Sequence, residues 1–195
     1  TLTRARERFQ QVVVGGLGGR VLGVGASGDR TTIFDKEVEE EALNAIKEYF
    51  GDCLIVSEEA GVIGDPDSSL TVLIDPLDGS TNARRGVPVC STSLAVAEGR
   101  SFREIVAAGV IDLVNGDLIT ARKGQGCRYN GKPASPSSLT NLGEAMICLD
   151  LGVKGGPARD TLLAGRLFNV IRYPRTLGSA ALETAYVAVG RVDAY

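Results

Sequence analysis

The chain has 195 residues, a net charge of −3, an apolar fraction of 44% and 23% charged residues, the composition of one large globular domain or two small ones sharing a core. No apolar run reaches the roughly 20 residues that span a bilayer, and the alternating Arg and Glu of residues 1–11 resemble neither a signal nor a transit peptide. A cytoplasmic protein with no membrane and no nucleic-acid partner is expected, because phosphate neutralisation needs clustered Lys and Arg.

In chain order, residues 3 to about 24 place apolar side chains at helical spacing but include Gly15, Gly16, Gly18 and Gly19. Each glycine costs about 1 kcal/mol in a helix relative to Ala, so this helix depends on tertiary packing. Residues 25–29 form a loop and 31–34 a short turn or strand. Asp35 opens a clear helix: Val38, Ala42, Leu43, Ala45, Ile46 and Phe50 share a face. Glu37, Glu39, Glu40 and Glu41 come early in it, where the helix dipole favours negative charge.

Residues 53–56 are a short apolar run ending at Ser57-Glu58-Glu59, and 64–69 a polar loop. Residues 70–74 read as a buried strand that stops at Asp75. Further strands are expected at 88–97, 105–113 and 118–122, with hairpin-turn signals at Asn115-Gly116 and Asn130-Gly131. After a polar connector, 132–141, come a strand at 145–149, a helix at 159–168, an extended stretch at 169–173 and a helix at 178–190. This mixed order predicts an α+β fold rather than a Rossmann fold. Residues 1–125 form an N-terminal α+β half carrying the site motifs, and 126–195 a C-terminal α/β half. Cys53, Cys90, Cys127 and Cys148 are scattered without CxxC spacing and read as buried small hydrophobes, with a disulfide or redox role as the alternative.

The absence of histidine removes the Ser-His-Asp triad, the Cys-His pair and His-ligated zinc. Hydrolytic chemistry is left to carboxylates, hydroxyls, backbone amides and a hard cation, Mg²⁺ or Mn²⁺. The segment Asp75-Pro76-Leu77-Asp78 suits that chemistry. Its two carboxylates turn toward one point if the chain bends, Pro76 supplies a fixed φ for the bend, and the Leu77 carbonyl joins as a neutral oxygen ligand. By itself such a pair is also a common turn. Gly79-Ser80-Thr81-Asn82 follows, a small-residue segment whose amides suit a phosphate oxygen. Glu58-Glu59, also just after an apolar strand, is either a solvated pair or the completion of a metal site. A cation that polarises a phosphoryl group beside an amide cradle is what phosphate-ester hydrolysis needs.

Four segments in order, Gly28-Asp29 with Asp35 and Val38-Glu39, Ser57-Glu58-Glu59, Ile74 through Asn82, and Arg175-Thr176-Leu177-Gly178-Ser179-Ala180-Ala181-Leu182-Glu183, resemble the motifs of the inositol monophosphatase family. The residues from Asn82 to Pro88 and the Leu182-Glu183 pair are most similar to its archaeal fructose-1,6-bisphosphatase/inositol monophosphatase branch. The resemblance implies a layered α/β sandwich of alternating helix and sheet layers, usually a homodimer. It also implies a Mg²⁺-dependent phosphatase for small sugar or polyol phosphates, fructose 1,6-bisphosphate or inositol 1-phosphate. Glu58, Asp75, the Leu77 carbonyl and Asp78 are then the implied metal ligands. Asp35 and Ser80 are an implied hydrogen-bonded pair that acts with Glu58 on the attacking water. The Gly79 and Ser80 amides hold phosphate, and Gly178, Ser179 and Ala180 lie along the sugar or polyol.

The chain departs from the family pattern in two places. Ala83 stands where many relatives carry an aromatic residue. No Trp-Asp motif, the source of a further metal-ligand Asp, occurs before the last residue, Tyr195. The C-terminal layer of the fold is therefore expected to be missing, with apolar surface exposed on Val187, Val189 and Val192. The chain, which starts at Thr1, is expected to be an incomplete record of a longer protein. Two alternatives remain open. One is a phosphatase for 3′-phosphoadenosine 5′-phosphate or NADP, against which the five Tyr, five Phe and absent Trp weigh. The other is an inactive truncated relative serving as a binding module. Arg84-Arg85 is either a solvated pair or a contact for a second phosphate.

Overall fold

The computed structural model describes residues 1–16, 21–24, 30–150 and 165–195. Helix α1 (Leu2–Val14) ends at Gly15 and Gly16, the latter at φ +71, a conformation that favours glycine. The helix expected to run to residue 24 is therefore cut short by its glycines. Strand β1 (Val21–Val24) follows and pairs antiparallel with β2 (Arg30–Thr32). The expected loop at 25–29 and the Gly28-Asp29 motif lie outside the described residues.

Helix α2 (Ile33–Phe50) begins two residues before Asp35 because Thr32 caps it. The Thr32 hydroxyl accepts the Asp35 N–H while the Asp35 carboxylate accepts the Thr32 N–H, a reciprocal capping box. Arg4 and Arg8 of α1 form ion pairs with Glu41, Glu48 and Glu37 of α2. Beneath them Ala5 and Phe9 pack with Phe34, Val38, Ala42 and Ile46 onto a sheet face that carries Ile55, Val72, Ile74 and Ile111. The Phe9 and Phe34 rings lie 5.0 Å apart, centroid to centroid, a favourable aromatic contact.

That sheet has eight strands: β3 (Leu54–Ser57), β4 (Gly61–Gly64), β5 (Leu70–Asp78), β6 (Ser91–Glu98), β7 (Ile105–Asp112), β8 (Leu118–Arg122), β9 (Gly126–Tyr129) and β10 (Lys132–Ala134). Their order is β10-β9-β8-β7-β6-β5-β3-β4. Only β3 and β5 run parallel; every other neighbour pair is antiparallel. Both Asn-Gly signals fall in connections, between β7 and β8 and between β9 and β10. β10 lies in the stretch that reads as a polar connector, and the position 125/126 falls between β8 and β9, two strands paired in this one sheet. β5 does not stop at Asp75 but continues to Asp78, with an irregular register against β6 between those two residues.

Helix α3 (Ser80–Arg85) follows β5 at once. Strands β11 (Met146–Cys148) and β12 (Tyr173–Arg175) form a separate parallel pair, and helix α4 (Ala180–Ala188) packs on β5, β6 and β7. Of the helix expected at 159–168, residues 165–168 are helical and the earlier ones lie outside the described residues. After α4 the chain turns back: the Asp193 N–H donates to Met146 O at 2.8 Å and the Cys148 N–H to Ala194 O at 2.9 Å. This return tucks Val192 inside and leaves Val187 and Val189 half-buried, so the exposure expected there is absent at Val192 and partial at the other two. Cys53, Cys90 and Cys148 are buried and Cys127 is half-buried, all as free thiols. The mixed order of helices and strands is the α+β class.

Candidate active site

The sheet brings three of the expected acids together at the C-terminal ends of β3 and β5. β3 and β5 are parallel neighbours, β3 ending where Ser57 is in register with Ile74 and the Glu58 N–H donates to Ile74 O at 3.1 Å. Glu58 therefore follows β3 where Asp75 follows Ile74 on β5. Both rim an open cleft of about 480 Å³ on the sheet face opposite α1 and α2, lined also by Val56, Leu73, Ser93 and Ala95.

Asp75 Oδ1 accepts the Leu77 N–H at 3.0 Å, an Asx turn that bends the strand around Pro76. The Pro76 carbonyl accepts the buried Thr92 hydroxyl at 2.7 Å, which locks the bend against β6. Burial, then the charges of Asp78 and Glu58, push the Asp75 carboxyl up to about 7. Asp78 is also raised by burial, against the hydrogen bonds from Ser179 and Ala181 that favour its charged form. None of Glu58, Asp75 and Asp78 forms an ion pair with a described residue.

Gly79 carries the chain from β5 into α3 at φ +88. A Cβ there would lie 3.0 Å from Val89 O and 3.1 Å from Gly178 O, so the close approach of the segment around Gly178 requires glycine. Asn82 holds that approach from α3, donating through Nδ2 to Val89 O at 2.9 Å and to Leu177 O at 2.7 Å. Of the three residues expected along a sugar or polyol, Gly178 and Ala180 are exposed, whereas Ser179 has no exposed surface. Its hydroxyl turns inward to Asp78.

Asp35 is buried, and its carboxylate Oδ2 accepts both the Thr32 N–H at 2.5 Å and the Thr32 hydroxyl at 2.6 Å. Burial raises its pKa, opposed by those bonds and by the charge of Arg84. No hydrogen bond joins Asp35 to Ser80, and both Thr32 bonds fall on the one oxygen Oδ2. Glu59 takes the Thr31 hydroxyl at 2.8 Å and is raised by burial and by the charges of Asp35, Glu58 and Glu39. Arg84 is half-buried and Arg85 exposed.

The residues that sequence reasoning missed are those that hold the acids. Thr32 was legible, since Thr32-Ile33-Phe34-Asp35 has capping-box spacing. Ser91 and Thr92 carried no signal, for a hydroxyl in a strand is ordinary. Among the described residues no three Asp, Glu or Cys side chains close into a finished metal cage. The structure instead shows hard oxygens short of positive charge, with one aspartate raised first by burial and then by its acidic neighbours. That donor set fits Mg²⁺ or Mn²⁺ and suits no soft cation.

The inositol monophosphatase family model matches residues 3–195. The chain belongs to that family. It is 35% identical over 188 residues to the fructose-1,6-bisphosphatase/inositol-1-monophosphatase of Methanothermobacter thermautotrophicus, which covers 91% of this chain and 65% of the relative. It is 34% identical over 172 residues to the Nus factor SuhB of Escherichia coli K12, covering 87% of the chain and 63% of that protein. The chain thus spans somewhat less than two thirds of the length of these family members. Its fold superposes with a TM-score of 0.87 on the crystal structure of the extragenic suppressor protein suhB of Bartonella henselae, at 25% identity, over 98% of this chain and 72% of the other.

Proposed function

We propose that this member of the inositol monophosphatase family serves Mg²⁺-dependent hydrolysis of small sugar or polyol phosphate monoesters, fructose 1,6-bisphosphate or inositol 1-phosphate, by an activated water. The observation that supports this most is Asp75, a carboxyl pushed up to about 7 by burial and by Asp78 and Glu58. Like charges held together in this way are relieved by a divalent cation. The proposed ligands are Glu58, Asp75, the Leu77 carbonyl and Asp78. Mg²⁺, or Mn²⁺, supplies charge neutralisation at the phosphoryl group and a lowered water pKa when bound.

The rest falls to the chain. The Gly79 and Ser80 amides hold phosphate oxygens, and Glu58 accepts the proton of the attacking water. Ser80 and Asp35 act with Glu58 on that water, Asp35 being kept in place by Thr32. Gly178 and Ala180 border the sugar or polyol, and Ser179 does so through its backbone. The protein works as a cytoplasmic homodimer, a state that light scattering checks. Among the described residues no helix is long and apolar enough to cross a membrane.

A second reading draws on the relative named Nus factor SuhB: a protein-binding role, with the site kept for architecture. A panel of inositol 1-phosphate, fructose 1,6-bisphosphate, 3′-phosphoadenosine 5′-phosphate and NADP, each with Mg²⁺, separates the readings. Phosphate release that requires Mg²⁺ and falls at least about a hundredfold in Asp78→Asn upholds hydrolysis, since even partners of metal ligands are worth that much. No turnover on any ester would leave the binding role. Turnover only on the two nucleotides would replace the substrate class.

A further inference from the structure

Two buried hydroxyls approach Asp78 from behind. Ser179 Oγ donates to Asp78 Oδ2 at 2.7 Å, and the Ala181 N–H donates to the same oxygen at 2.8 Å. Ser179 Oγ in turn lies 2.9 Å from Ser91 Oγ, and both serines are 0% exposed. A serine has one proton to give. That of Ser179 goes to Asp78, so Ser91 must donate to Ser179, and the chain is ordered Ser91 to Ser179 to Asp78. Ser91 is the register partner of Asp78 across β5 and β6, which anchors the base of this chain in the sheet. With two donors on Oδ2, the capacity for a cation lies on Oδ1.

The same serine sits in the middle of residues 178–180, the segment that borders the substrate. Asn82 secures that segment through Leu177 O. Glu183, itself buried, accepts the Leu177 N–H. The segment is thus braced from α3 and from α4. The side-chain bond from Ser179 then ties it to a proposed cation ligand.

We infer that Ser179 is a positioning residue that couples cation binding at Asp78 to sugar or polyol binding at residues 178–180, with Ser91 setting the direction of its proton. This rests on the phosphatase reading. A substrate that settles the segment fixes Asp78 in its ligating orientation. By linkage a bound cation then tightens the substrate by the same factor. Partners of metal ligands act in this way, and their loss costs about 10–100-fold in metal affinity.

The test is calorimetric titration of Mg²⁺ into the protein with and without a saturating nonhydrolysable phosphonate analogue of inositol 1-phosphate. The proteins compared are wild type, Ser179→Ala, Ser91→Ala and Thr176→Ala. Thr176 lies two residues before that segment and bonds to Leu149 O, so its variant should match wild type. Ser179→Ala should weaken Mg²⁺ about tenfold, and the analogue should no longer improve it. Ser91→Ala, which leaves the Ser179 donor in place, should show a smaller loss. Melting in EDTA within a few degrees of wild type certifies each fold. If Ser179→Ala does not fold, Ser91→Ala alone decides: unchanged Mg²⁺ affinity and unchanged coupling sink the idea. A folded Ser179→Ala that keeps the wild-type coupling also overturns it, while wild-type binding of both ligands leaves the phosphatase reading standing. Wild type that binds neither Mg²⁺ nor the analogue would overturn that reading, and this inference with it.

Discussion

Asp78 lies close enough to Asp75 in the bulged end of β5 that its charge, second only to burial, pushes the Asp75 carboxyl up to about 7. The sign of the consequence follows from proton counting. Between about 3.8 and 7 the folded protein holds a proton on Asp75 that the unfolded chain has released, so stability falls as pH rises through that window. Removing the charge should abolish this. In EDTA, Asp75→Asn is expected to match wild type below pH 4 and to be more stable above pH 7, by roughly 2–4 kcal/mol. Saturating Mg²⁺ should raise the wild-type melting temperature at pH 8 and leave Asp75→Asn unchanged. Urea melts across pH, with and without Mg²⁺, check both, and an Asp75→Asn no more stable than wild type at pH 8 would count against the charge frustration.

Thr32 should matter to the fold and to the site at once. Thr32→Ala removes the cap of α2, a loss of about 1–2 kcal/mol, and strips the Asp35 carboxylate of its hydroxyl partner. Thr32→Ser keeps both and should recover most of the stability. Equal denaturation midpoints for the Ala and Ser variants would show that the hydroxyl contributes nothing.

Gly79→Ala is expected to be costly without touching any carboxylate. The residue sits at φ +88 with two backbone oxygens within 3.1 Å of where its Cβ would stand, so either α3 or the segment at Gly178 must move. A cost of about 1–3 kcal/mol is expected for such strain. Phosphate binding should weaken more than Mg²⁺ binding, because the displaced amides belong to α3 while the acids belong to β5. Titration with inorganic phosphate and with Mg²⁺ separates the two effects.

Much of the site was legible because it is written in short stretches. Asp75, Leu77, Asp78 and Gly79 are consecutive or nearly so, and the turn they form is set by Pro76 and by the reach of the Asp75 side chain to the Leu77 N–H. The start of α2 is equally local, although the capping box placed it at Ile33 rather than at Asp35. Glycine was the least legible residue. At Gly15 and Gly16 it ended a helix that the apolar spacing alone continued to residue 24, because backbone freedom competes with periodicity and here prevailed. Short strands such as β4 and β10 were invisible for a related reason. Each is an edge strand of three or four residues that exists by pairing with a neighbour and has no pattern of its own.

By itself the sequence determined which acids end which strands, that no histidine takes part, and that glycine and small residues line the turn into α3. These are properties of composition and near-neighbour geometry. Only the tertiary structure decided what holds those acids. Ser179 reaches Asp78 across 101 residues, and Ser91 reaches Ser179 across 88. The Asp35 carboxylate, expected to pair with Ser80, bonds Thr32 through Oδ2. Contacts at such separations depend on strand register and on how α4 lies on the sheet. Both are set by burial of the whole apolar face, and no local pattern specifies them.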